Sequence, residues 1–250
     1  VLLLHGETGI GLRTVAEHLA GSTFLLVQPR TSKGELDREN GTISIEQVRT
    51  LYEQTRTGGI EYIIIDNAER LSTEAQNAFL KLLEEPPANV HFMLTAHSPD
   101  QLLSTVRSRV TRYHVPPITL EQSQQLLEGA NLTAAQRAQA LFLAAGRPAR
   151  LITLRDSPDT LELHSKIMGD ARRFLSDPSR YNRLATALRY GTSRSEALKL
   201  VGGALQIMKH TLNQSATKPA AETAEQLLRV HSALRRNANP RLQLARFVLQ

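Results

Sequence analysis

Residues 1–20 read Val1-Leu2-Leu3-Leu4-His5-Gly6-Glu7-Thr8-Gly9-Ile10-Gly11-Leu12-Arg13-Thr14-Val15-Ala16-Glu17-His18-Leu19-Ala20. An apolar run at Val1–Leu4 enters a glycine loop, Gly6–Gly11. A helix signal follows over Thr14–Ala20, with Val15, Ala16 and Leu19 on one face. Strand, glycine loop and helix in that order are the setting in which backbone N–H groups cradle phosphates. A working loop of this kind has the form GxxxxGK[ST]: its Lys holds the β- and γ-phosphates and its hydroxyl ligates magnesium. Here Leu12 stands at the Lys position and Arg13 at the hydroxyl position, and Thr14 comes one residue late. Gly6, Gly9 and Gly11 keep the scaffold while its chemistry is missing. Two readings follow, a degenerate nucleotide site or a chance glycine turn.

A second stretch bears on that choice. Tyr62-Ile63-Ile64-Ile65-Asp66-Asn67 is an apolar strand ending in an acid. In P-loop ATPases such an Asp helps to hold magnesium, and an acid beside it acts on the attacking water. The neighbour here is Asn67, and an amide cannot take up that proton. The alternative reading of Asp66 is a strand-end residue capping a turn.

Around these two stretches, strand and helix signals alternate. Strands are expected at Thr23–Val27, Glu61–Ile65, Val90–Thr95 and Thr111–Val115. Helices are expected at Ile45–Thr55, Thr73–Glu85 (stopped by Pro86-Pro87) and Pro99–Arg107. Such alternation implies a parallel sheet covered on both faces. After Pro116-Pro117 the strand signal ends, and Thr119–Leu127, Thr133–Ala144 and Pro148–Leu154 read as short helices. From about residue 159 the pattern is helical to the end.

The composition narrows the function further. With no cysteine, disulfides, zinc ribbons and thiol catalysis are excluded; aromatics at 4% argue against base-stacking platforms. No 18-residue apolar run appears, so no membrane span is expected and the expected location is the cytoplasm. The chain opens on Val1 rather than Met, which suggests that residues precede it. Residues 171–250 hold 14 Lys/Arg and 4 Asp/Glu, a balance of +10 against +6 for the whole chain. That basic segment suggests an anionic partner such as nucleic acid, or else a set of Arg-rich solvated helix faces. His5, His97 and His114 are not in metal-ligand spacing and read as packing or surface residues.

From Asp66 to Val110 the sequence resembles bacterial DNA polymerase III clamp-loader subunits, the gamma/tau and delta-prime group of the AAA+ family. The segment Leu82-Leu83-Glu84-Glu85-Pro86-Pro87 is distinctive of that group, and Ser108-Arg109-Val110 is similar to its Ser-Arg-Cys motif. Asn239-Pro240-Arg241-Leu242 resembles the start of the last helix of the group. The likeness is strong over residues 1–115 and rests on pattern alone beyond them.

The resemblance implies an α/β fold in three parts. Residues 1–115 would form an AAA+ P-loop-type parallel-sheet domain with a degenerate phosphate loop. Residues 116–158 would form a small helical lid and 159–250 an all-helical collar domain for oligomerisation. It also implies roles. Arg109, presented by Ser108, would be an arginine finger reaching ATP held by a neighbouring subunit, a task suited to a forked and permanently charged side chain. The competing reading is a surface Arg paired with a local acid. Val110 in place of Cys would be structural. The degenerate site (Gly6, Gly9, Gly11, Leu12, Arg13, Thr14, Asp66, Asn67) would bind no ATP productively, and no intrinsic ATPase activity is expected.

Within the family, intact Lys and Glu mark the gamma/tau type. The delta-prime type combines the finger motif with a degraded loop, as this chain does. Implied partners are gamma/tau and delta subunits, the sliding clamp, and primed DNA through the complex, with ATP and magnesium in the neighbour's site. The region of roughly Gly21–Thr42, where many relatives carry a four-cysteine zinc module, reads as a polar loop, so no zinc is expected. Thr95-Ala96-His97 occupies the sensor-1 region, and Gly146–Arg150 places no Arg clearly on a nucleotide. The competing functions are an active AAA+ ATPase and a stand-alone DNA-binding protein that uses the basic segment.

Overall fold

The computed structural model describes residues 1–38, 40–56, 59 and 61–249, which divide into two compact units, 1–156 and 157–250. In the first unit, β1 (Leu2–His5), β2 (Phe24–Val27), β3 (Tyr62–Ile65), β4 (His91–Ala96) and β5 (Thr111–His114) form one sheet in the order β2-β3-β4-β1-β5. All four pairings are parallel. The connections run through α1 (Leu12–Ala20), α2 (Ile45–Arg56), α3 (Thr73–Glu84) and α4 (Ser104–Arg107).

Alternation along the strands explains how the sheet is covered. Leu3, Ile63, Ile65, Phe92 and Leu94 face a cluster with Val48 and Leu51 of α2 and Ala75, Phe79 and Leu82 of α3. Leu4, Ile64 and Met93 point the other way, onto Leu12, Ala16 and Ala20 of α1. A strand needs apolar residues in succession when both faces are buried, which is why the three isoleucines of β3 are consecutive. Phe79 meets Phe92 edge-to-face, with ring centroids 5.4 Å apart. The expected parallel sheet is thus present.

One expected element differs in detail. Pro99–Arg107 is not one helix. A 3-10 turn over Pro99–Gln101 and the four-residue α4 are separated by Leu102 and Leu103, and Leu102 turns into the core. The strand expected at Thr23–Val27 is present as β2, Phe24–Val27, at the edge of the sheet. Beyond it, bridges of Arg30 with Leu36 and Thr42 fold the remaining segment back on itself.

After β5 the chain is helical. Within the first unit lie α5 (Leu120–Gln125), α6 (Ala134–Ala144) and α7 (Pro148–Asp156). Thr119 and Thr133 open α5 and α6 with capping boxes closed by Gln122 and Gln136.

The second unit holds α8 (Pro158–Ser176), α9 (Arg180–Tyr190), α10 (Arg194–Gln214), α11 (Lys218–Arg235) and α12 (Pro240–Leu249). Gly203 of α10 lets α8 approach closely: a Cβ there would lie 3.2 Å from the Ala171 Cβ. Phe174 and Phe247 stack with centroids 5.0 Å apart. Asp170 is buried among these helices. Its carboxylate accepts from the Tyr190 hydroxyl at 2.9 Å and from Arg173 and Arg189 at 3.2 Å each. Burial, and then the bond to Asp170, push the Tyr190 hydroxyl up to about 12. The arginines around Asp170 are therefore part of what holds this helical unit together.

Candidate functional site

The glycine loop sits where β1 ends and α1 begins. Gly9 and Gly11 adopt φ of 88° and 92°, a region that side chains rarely occupy. Gly11 starts α1 with no side-chain cap. Backbone geometry for a phosphate cradle is therefore present. The side chains contradict it.

Leu12 does not project from the loop. It is 3% exposed and belongs to the apolar cluster of Leu4, Ile10, Ala16, Ile64 and Met93. Arg13 turns along α1 and pairs with Glu17 at 2.5 Å. The first turn of α7 leans on the loop. The Arg150 N–H donates to the Gly9 carbonyl at 3.0 Å, and a Cβ on Gly9 would lie 2.9 Å from the Arg150 Cβ. Burial, and then the charge of Arg147, hold the Arg150 guanidinium down at about 10. Arg147 closes the end of α6, its Nε and Nη2 donating to the carbonyls of Ala144 and Leu143 at 2.7 and 3.1 Å, and its Nη1 lies 3.8 Å from Glu7 Oε2 of the glycine loop.

The acidic strand end lies across β4 from the loop. Asp66 is 5% exposed, and its Oδ1 accepts from the Thr95 hydroxyl at 2.9 Å. The same hydroxyl oxygen accepts the Asn67 N–H at 3.0 Å. Asn67 is in the left-handed region, φ 56° and ψ 56°, and opens the 3-10 turn Ala68–Arg70. Asn tolerates that conformation better than most residues, which gives it a backbone reason beyond its lack of charge.

Two residues that the sequence did not single out join this network. Glu69 accepts the His97 N–H at 2.9 Å, and the His97 ring meets the Gly6 carbonyl through Nδ1 at 3.0 Å, tying the end of β4 to the glycine loop. One terminal atom of the Gln28 amide lies 3.0 Å from Arg13 Nη1 and from Arg38 Nη2, and 3.3 Å from Asp66 Oδ2. With the amide oxygen in that place, Gln28 accepts from both arginines. Guanidinium groups thus gather near the carboxylate. The histidines that are separate in sequence also meet here. His5 and His114 are register partners with ring centroids 5.2 Å apart, and burial, then His114, hold His5 below the usual imidazole range.

Ser108 and Arg109 follow α4 at the opposite end of the motif region. Ser108 caps α4, and its hydroxyl donates to the Thr105 carbonyl at 3.1 Å. Arg109 Nη1 donates to the same carbonyl at 3.0 Å, and its Nη2 lies 2.8 Å from Glu84 Oε1. The side chain of Arg109 is 38% exposed. Val110 packs against the main core of the sheet, and Arg107 is held by Asp100 at 2.9 Å.

Residues 24–119 match the family model described as DNA polymerase III, delta subunit. Similar curated proteins include the DNA polymerase III subunit delta' of Pseudomonas aeruginosa, 31% identical over 140 residues, covering 46% of this chain and 42% of that protein. The subunit delta' of Escherichia coli K12 is 35% identical over 124 residues, covering 47% of this chain and 37% of that protein. Over less than half of its length, the chain is thus similar to subunits of the delta' type. Subunit tau of Salmonella typhimurium is more narrowly matched, 35% identical over 98 residues, covering 38% of this chain and 15% of that protein. The chain thus spans under half the length of each of these three curated relatives.

Among solved structures, a DNA polymerase III gamma subunit-related protein of Thermotoga maritima superposes with a TM-score of 0.56 at 19% identity. That likeness covers 99% of this chain and 92% of the other. It bears on the fold alone. The shared fold is α/β, with a helical region after the sheet. No helix among the described residues is long and apolar enough to cross a membrane.

Proposed function

We propose that this chain is the non-hydrolysing subunit of a DNA polymerase III clamp loader. In this reading it serves as a rigid stator and supplies Arg109 in trans to the ATP site of a neighbouring subunit. One observation carries the reading: the side chain at the phosphate-lysine position, Leu12, is consumed by the core, while Arg109 stands on the surface in a motif that the clamp-loader group shares.

The chain's own site keeps the backbone cradle and Asp66 but lacks the lysine, the hydroxyl and the second acid that hydrolysis needs. Leu12 offers no charge to a triphosphate. Arg13 cannot ligate a cation, and its guanidinium is engaged by Glu17 and the Gln28 amide. Asn67 cannot polarise water. Thr95 holds Asp66, and His97 links Glu69 to the Gly6 carbonyl; side chains tied down in this way suit a stiff element better than a responsive one.

Arg109 has what the trans role needs. Phosphoryl transfer asks little covalent chemistry of a protein; charge placed against the phosphoryl oxygens does most of the work. A forked cation at the end of a short helix can meet such oxygens bidentately. ATP and magnesium would then belong to a gamma/tau-type neighbour, with a delta-type subunit, the sliding clamp and primed DNA as further partners. No zinc is needed.

The isolated chain tests the silent half of this reading. Titrated with magnesium-ATP to millimolar concentration, it should show no turnover above background and no saturable binding. Turnover that scales with chain concentration and disappears on Asp66→Ala would favour an active ATPase instead.

A further inference from the structure

We propose that Glu84 is a displaceable counter-ion for Arg109. In the unassembled subunit it holds the guanidinium against α4, and it yields that group to phosphate when the neighbouring site is filled. The proposal rests on the trans role argued above and adds a positioning residue to it.

Glu84 is the last residue of α3, and Glu85 follows it. The C-terminal end of a helix carries partial negative charge, so an acid there is disfavoured by the helix itself. A nearby cation offsets that penalty, and Arg109 is that cation, with Nη2 2.8 Å from Glu84 Oε1. The other end of the fork, Nη1, is held at 3.0 Å by the Thr105 carbonyl. Together these contacts fold the side chain back along its own helix. The next acid in this region, Asp100, is engaged by Arg107 at 2.9 Å.

The pair is made to be broken. The two side chains are 38% and 51% exposed, so water and salt screen their attraction. While the pair is closed, the carboxylate cancels much of the field that Arg109 would direct at a phosphate, and it repels the phosphate as well. A polyphosphate carries more charge and presents oxygens that suit the fork, so the exchange favours phosphate once a nucleotide is within reach. Glu84 touches no reacting atom in this scheme; it acts only through Arg109.

The test uses the assembled complex and compares steady-state ATP hydrolysis of wild type, Glu84→Gln, Arg109→Ala and the double variant. Glu84→Gln keeps the size and removes the charge at an exposed position, so denaturation of the subunit should be unchanged. The expected result is a rise in kcat/KM of about two- to fivefold for Glu84→Gln, the range one exposed ion pair can supply. The rise should appear mainly as a lower KM and vanish in the Arg109→Ala background. An unchanged or lowered kcat/KM for Glu84→Gln, while Arg109→Ala still impairs turnover, overturns the counter-ion role and leaves the finger standing. If Arg109→Ala itself has no effect, the trans role fails and this proposal falls with it.

Discussion

Arg109→Ala should lower the ATP turnover of the assembled complex by tenfold or more, with about 10³–10⁵ as the range that a finger supplied in trans can reach. The structure makes this a clean experiment. The side-chain contacts of Arg109 are the Thr105 carbonyl, Ser108 and Glu84, all at the surface. Losing them should cost the fold no more than about 0.5 kcal/mol. Intact assembly, checked by gel filtration, then ties any loss of turnover to the missing guanidinium. Arg109→Lys keeps the charge but not the fork and should recover only part of the rate.

The second large effect is on stability. Leu12→Ala should destabilise the sheet-containing unit by about 2–5 kcal/mol, the usual cost of removing a fully packed leucine. Leu12 is 3% exposed and closes the cluster of Leu4, Ile10, Ala16, Ile64 and Met93 between α1 and the sheet. Its neighbour is the control: Arg13→Ala removes a half-buried i,i+4 pair with Glu17 and a hydrogen bond to Gln28, together worth about 1 kcal/mol. Denaturant titration, read by hydrogen exchange at the α1 amides, compares the two. Equal, small losses would mean that Leu12 is a loop residue after all, and the argument that the core has absorbed the phosphate-lysine position would fail.

The buried strands were legible because their chemistry is local. Ile63-Ile64-Ile65 and Leu2-Leu3-Leu4 are apolar without interruption, and a sheet covered on both faces needs that. The strand order β2-β3-β4-β1-β5 was not legible, since nothing in one sequence says that β4 inserts between the acidic strand and the glycine-loop strand. The break between Pro99–Gln101 and α4 was missed because Leu102 and Leu103 look helical by composition, whereas Leu102 is pulled into the core.

The site divides in the same way. The lost chemistry of Leu12, Arg13 and Asn67 follows from residue type alone. Where the replacement side chains go does not. The Thr95 hydroxyl reaches Asp66 across 29 positions of chain, Glu69 meets His97 across 28, and both contacts exist only because parallel strands bring their ends together. Glu84 lay within a segment that the sequence marks as distinctive, yet its partner Arg109 becomes visible only once α3 and α4 are side by side.

The most direct test is a structure of the assembled complex with a non-hydrolysable ATP analogue and magnesium. The account predicts no nucleotide at Gly6–Gly11 of this chain, Leu12 still in its apolar cluster, and the Arg109 guanidinium moved off Glu84 to within hydrogen-bond reach of the neighbour's γ-phosphate. A nucleotide seated on this chain's own glycine loop, with Arg109 still paired to Glu84, would contradict it.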